Sequence, residues 1–227
     1  MKYTYWFILV ILATNLSAQS EDLIFVNGLD VNEERYPDIK DSPYLFGDEW
    51  HPADLLTKEM KRVPNMPTRY NIYTGEFEVR QGDKFIRLAN DRFMRIEFEV
   101  NEDGEKVDNA DEKLVFQASF HPRFRDHFVN LIYSGSTMVV FRDFRAIVSE
   151  KTVQNVGQTV EFKRFFPKVD YYLMQNGELK TIKPNKKTLI KLLGHKKELE
   201  AYIKEHKLDL ESAPDLNKLL TFAETLS

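Results

Sequence analysis

A chain of 227 residues, with 42% hydrophobic and 30% charged side chains, has the length and apolar content for one large domain or two small ones. Its formal net charge of -4 argues against a general nucleic-acid binder, and the absence of cysteine excludes disulfides, thiolate catalysis, Cys-based zinc sites and lipoprotein acylation. Seventeen Phe and ten Tyr favour pleated, half-buried surfaces, so a β-rich fold is expected.

The N-terminal "MKYTYWFILVILATNLSAQS" has a single Lys2, an apolar run from Tyr5 to Ala13, and then Thr14, Asn15, Ser17 and Ala18. That is the layout of a secretory signal peptide, cut after Ala18. The run is about half of the ~20 residues a helix needs to cross a bilayer, so the expected mature chain is exported and is not an integral membrane protein. Losing Lys2 would leave it formally at -5. From Glu21 to Arg62 there are eleven Asp or Glu against five Lys or Arg, interrupted by "LIFV" and "PYLFGDEW", which pin an irregular segment to a sheet.

After Pro64 and Pro67 the pattern becomes strands. "RYNIY" and "EFEVR" flank Thr74-Gly75, and "EFEVR" and "KFIRL" flank "QGD", giving two successive hairpins. In "MRIEFEV", Met94, Ile96, Phe98 and Val100 alternate with Arg95, Glu97 and Glu99, one face buried and one wet. "KLVFQASF", "FVNLIY", "TMVVFRDFRAIV", "VEFKRFF" and "VDYYLMQ" follow, the last paired across Asn176-Gly177 with "LKTI". Beyond Pro184 apolar residues recur at helical spacing, at Leu189, Ile190, Leu192 and Leu193, then Leu199, Tyr202 and Ile203, then Leu216, Leu219 and Leu220. Asn185 and Ser212 are N-cap candidates and Gly194 is a helix break. The expected organisation is a signal peptide at 1–18, a β-rich domain at 19–183 and a helical subdomain at 184–227.

The signal peptide, "SPYLFGDEWHPADL", the "RYNIYTGEFEV" hairpin and the terminal "NKKTLIKLLGHKKELEAYIKEHKLDL" together resemble uncharacterised secreted proteins of the Bacteroidota. The resemblance implies export and this architecture. It brings no activity, cofactor or catalytic residue with it.

Candidate chemistry is sparse. "HPRFRDHF" offers His121, Asp126 and His127, but the spacing matches no helical zinc motif and two Arg lie between the histidines. The acidic segment 99–112 fails as an EF-hand: with Gly104 at the turn position, Ala110 falls where a bidentate Glu is required. "YSGST", around Ser134 and Ser136, lacks the double glycine of a nucleophile elbow and suits a hairpin loop. Neither a phosphate-cradling loop nor a dinucleotide fingerprint is present, and no cofactor is expected. A membrane barrel is disfavoured by irregular strands and by the charged helices at the end of the chain.

Two sets of binding candidates remain. Strand periodicity sets Arg69, Asn71 and Tyr73 on one face, opposite Tyr70 and Ile72, as a prospective surface feature. The segment from Lys183 to Lys207 holds eight Lys against three Glu, and Lys196 and Lys197 lie at its centre. The expected fold is α+β: an antiparallel β-rich body, sandwich or curled sheet, with a small C-terminal helical appendix. The expected function is an exported, non-enzymatic binding or assembly protein of the bacterial envelope, meeting an envelope protein or an anionic glycan or lipid. The alternative is a hydrolase or metal-dependent enzyme using His121, Asp126 and His127.

Overall fold

A computed structural model describes residues 28–30, 36–107, 113–118, 121–125, 127–155 and 158–226. The signal-peptide segment and Asp126 lie outside the described residues. The chain is α+β. Its strands are β1 Gly28–Asp30, β2 Ile39–Lys40, β3 Leu45–Asp48, β4 His51–Thr57, β5 Arg62–Asn71, β6 Glu76–Gln81, β7 Lys84–Leu88, β8 Phe93–Phe98, β9 Leu114–Ala118, β10 Phe128–Ser134, β11 Met138–Asn155, β12 Gln158–Gln175 and β13 Glu178–Ile182. Helices α1 Lys186–Leu193, α2 Lys196–His206 and α3 Ala213–Thr225 follow.

One open, mostly antiparallel sheet runs β1-β7-β6-β5-β4-β8-β9-β10-β11-β12-β13, with β2 added parallel to β12. Of the two expected forms it is the curled one. β5 and β11 are five strands apart, about 24 Å in a flat sheet. Yet the Ala146 N–H of β11 donates to the Ile72 carbonyl, in the turn after β5, at 2.8 Å. That bond requires the sheet to bend round until its two parts meet.

The curl encloses an aromatic core. Tyr70 and Phe77, directly opposite on β5 and β6, stack at 4.3 Å, and Phe77 also meets Phe98, Phe116 and Phe128 edge-on or tilted. All five rings are essentially without solvent exposure. Aromatic side chains of this size supply a large apolar area, and each such pair adds ~0.5–1.5 kcal/mol beyond burial.

β11 and β12 form an 18-residue two-stranded ribbon that organises the rest. Residues opposite one another share a face, so Val140/Leu173, Phe144/Val169, Ala146/Pro167 and Val148/Phe165 line one side. Near β10 this side packs on the helices through Leu189, Leu199, Leu216, Leu219 and Leu220. Further along, Ala146 and Phe165 close the aromatic core. Arg142 lies at the seam between the two cores, on the same side. Its Nε donates to Asn130 Oδ1 at 2.7 Å, and Nη2 lies 2.8 Å from the Glu102 carboxylate, which also accepts the Ala213 N–H at the start of α3.

Local differences from the sequence expectation have physical causes. The β5–β6 turn is four residues, Ile72 to Gly75, and not the Thr74-Gly75 pair, because the Asn71 side chain accepts the Tyr73 and Thr74 N–H groups and its carbonyl accepts the Gly75 N–H. "VEFKRFF" and "VDYYLMQ" are one strand running through Pro167. Residues 171, 173 and 175 bond to β13 from the outer edge, so by alternation Pro167 turns its nitrogen to that edge and breaks no bond with β11. Asn185 caps α1 as expected, accepting the Thr188 N–H at 2.9 Å. At α3 the Ser212 side chain makes no cap bond, and Glu102 takes that role.

Candidate functional site

Arg69, Asn71 and Tyr73 do not form one surface, and the expected shared exposure of these residues is corrected. Arg69 is 5% exposed and Asn71 fully buried, while Tyr73 is 43% exposed. The N-terminal segment covers that face of β5 and β6. The Arg69 guanidinium lies between the rings of Tyr44 and Trp50, at 4.0 and 4.3 Å from their centroids, and its Nε donates to Glu78 Oε2 at 2.9 Å. The Tyr44 hydroxyl donates to the same oxygen. A buried cation is tolerated when it is paired and stacked, and this one is both.

Lys196 and Lys197 are exposed in the first turn of α2. His121 Nδ1 accepts the Arg123 N–H, capping a short 3-10 turn, and His127 covers Gly75. Among the described residues no group of three or more His, Cys, Asp or Glu converges as a metal site would need. In the acidic segment, Asn101 Oδ1 accepts the Asp103 and Glu105 N–H groups, and Glu102 is committed to Arg142 and α3.

The "YSGST" loop holds a carboxylate. Glu224, in the last turn of α3, accepts the Ser136 and Thr137 N–H groups and the Thr137 hydroxyl at 2.9 to 3.3 Å. Gly135 is needed here because an added Cβ would fall inside the Glu224 carboxylate. The Thr137 amide, the Tyr133 hydroxyl and the other loop donors pull the Glu224 carboxyl down to about 2, and Tyr133 is pushed up to about 12, first by burial and then by Glu224.

Three constellations lie at the surface or just beneath it. On the outer side of the ribbon, Ile147 and Phe166 face each other and are 41% and 51% exposed. The rung on one side is Arg145/Lys168 and on the other Ser149/Arg164. Arg145 pairs with Asp170 and Arg164 with Asp41. Next along the same side, Asp143 and Asp170 are directly opposite, two like charges that Arg145 bridges. Burial raises the Asp143 carboxyl, against the lowering influence of Arg145, His127 and Arg123. The third is a groove of about 410 Å³ lined by Tyr36, Pro37, Asp41, Pro43, Tyr44, Asp48 and Phe165. Tyr73 joins its wall from behind, 5.6 Å from Tyr36 and 5.2 Å from Phe165.

Sequence reasoning passed over Ile147, Phe166, Asp143, Asp170 and the groove. Each depends on strand pairing or on distant segments meeting. Only the alternation within "FRAIV" and "KRFF" could have marked the exposed rung. Compared with protein-family models, curated proteins and solved structures, the chain matches none. Among the described residues no helix is long and apolar enough to cross a membrane.

Proposed function

We propose that this chain is an exported, non-enzymatic binding or assembly protein of the bacterial cell envelope. The observation that carries the reading is the Ile147/Phe166 rung, a directly opposite apolar pair exposed on the outer side of the ribbon. An exposed aliphatic and aromatic pair rimmed by charge is the anatomy of a recognition surface. Lys168 beside it, and Lys196 and Lys197 on α2, favour an anionic or acidic partner: an envelope protein, glycan or lipid. The signal-peptide layout supports export.

The test is recovery of a partner from native cells after mild crosslinking. Wild-type chain is expected to retain one envelope partner that Phe166→Ser and the Lys196→Glu/Lys197→Glu double variant deplete. Recovery of nothing, or of the same set by all three proteins, sinks the reading.

The Asp143/Asp170 pair favours a second reading, a hydrolase, because two facing carboxylates in different environments can divide acid and base roles. His127 then acts on Asp143 from the adjoining loop. Hydrolysis of a broad ester and glycoside panel, lost in both Asp143→Asn and Asp170→Asn, would carry it; wild-type inactivity across the panel would count against it.

A further inference from the structure

We infer that the groove between the N-terminal segment and β12 binds an arginine side chain presented by a protein partner. Its walls are aromatic and fixed. Tyr36 packs edge-on against Phe165 at 5.3 Å, Tyr44 also lines the groove, and Pro37 and Pro43 stiffen the chain on either side. The pairing of β2 with Lys163 and Arg164 ties the segment down. About 410 Å³ accommodates a guanidinium and its methylene stem.

Charge selects the occupant. Asp41 and Asp48 both line the groove. Asp41 already accepts Arg164 Nε at 2.7 Å. Among the described residues the polar partner of Asp48 is the Ser42 hydroxyl, at 2.8 Å, and no cation offsets it. An incoming cation would therefore meet one uncompensated carboxylate beside aromatic faces.

The same residues show which cation suits them. The Tyr44 ring already stacks on the Arg69 guanidinium, and Asp41 already takes that of Arg164, so two groove residues engage guanidinium groups within the chain itself. A planar guanidinium stacks on aromatic rings and donates in a fixed fork, whereas an ammonium is compact and more strongly hydrated. The site requires neither export nor the exposed Ile147/Phe166 rung, so its failure and that of the proposed function are separately visible.

The experiment titrates the mature chain with acetyl-Gly-Arg-Gly-amide, following tyrosine ring resonances by NMR. The citrulline peptide, a neutral isostere, and the lysine peptide serve as comparisons. Saturable shifts at Tyr36 and Tyr44 are expected, with Kd on the order of 1 mM, the citrulline peptide about tenfold weaker, and weakening as salt rises. Asp48→Asn should weaken the arginine peptide about fivefold while leaving the melting curve unchanged. Equal binding of the citrulline or lysine peptide, an unaffected Asp48→Asn, or no ring shift at ~20 mM peptide in folded protein would overturn the inference.

Discussion

Arg69 and Glu78 sit directly opposite each other on β5 and β6, Nε to Oε2 at 2.9 Å, with side chains 5% and 0% exposed. Removing one partner leaves the other charge buried, at a cost of ~3–5 kcal/mol. Glu78→Gln is therefore expected to lower Tm by roughly 10 °C. The Arg69→Met/Glu78→Leu double variant should recover most of that loss, since replacing both charges by apolar groups removes the unpaired one. A single variant that melts with the wild type would show the pair to be hydrated.

The Glu224 clasp on the Ser136–Thr137 loop gives a pH-dependent prediction. Its carboxyl is held at about 2, below the ordinary 4.5, chiefly by the Thr137 N–H and the Tyr133 hydroxyl. A depressed carboxyl stabilises the fold fully above its unfolded value and loses that contribution as pH falls through the folded one. The Tm gap between wild type and Glu224→Gln should be constant from pH 7 to 5, shrink from about 4.5 downward and close near 2. A gap unchanged down to pH 2 would contradict the clasp. Gly135→Ala should loosen the same contact at every pH.

Glu102 joins the seam between the two cores to the start of α3. Glu102→Ala strands the Arg142 guanidinium, which is 4% exposed, and removes the acceptor of the Ala213 N–H. Faster hydrogen exchange is expected across 213–216, ahead of β10 and β11, with ~2–4 kcal/mol lost globally. Uniform exchange in the variant and wild type would place the tie elsewhere.

Neighbouring phenylalanines on β12 should behave oppositely. Phe165 is 2% exposed in the aromatic core and Phe166 is 51% exposed on the other side of the strand. Phe165→Ala should cost ~3–5 kcal/mol by denaturant unfolding, whereas Phe166→Ser should stay within ~0.5 kcal/mol. Comparable losses would mean that the rung is buried.

Asp143 carries the opposite sign from Glu224. Burial raises its carboxyl above 3.8, so ionisation there opposes folding as pH rises past that value. Asp143→Asn is expected to melt at or above wild type at pH 7, with the difference narrowing as pH falls toward 3.8 and absent below it. A destabilised variant at neutral pH would show that Arg145 and His127 outweigh burial.

Much of the architecture was legible in the residues. The Gly82-Asp83 and Asn176-Gly177 turns sit where their dipeptides demand, with positive φ at Gly82, Asn176 and Gly177, and the three helices follow their apolar spacing. Period-two alternation in "MRIEFEV" placed Ile96, Phe98 and Val100 in the core. These are local signals, carried by steric limits on φ and by side-chain direction along a strand or helix.

Alternation alone could sort Tyr70 from Arg69 onto opposite faces, but not say that both faces would be covered. That was decided by Tyr44 and Trp50, folding over Arg69 from about twenty residues earlier in the chain. "YSGST" likewise became a carboxylate cradle only because Glu224 arrives from the far end, and Pro167 stayed within a strand because its nitrogen turns to an open edge. Sequence by itself determined the elements, their turns and which side chains alternate, because those depend on near neighbours. Only the tertiary structure decided which face meets solvent, which charges are paired and which rings line a groove, because burial and electrostatics depend on what the curl of the sheet brings together.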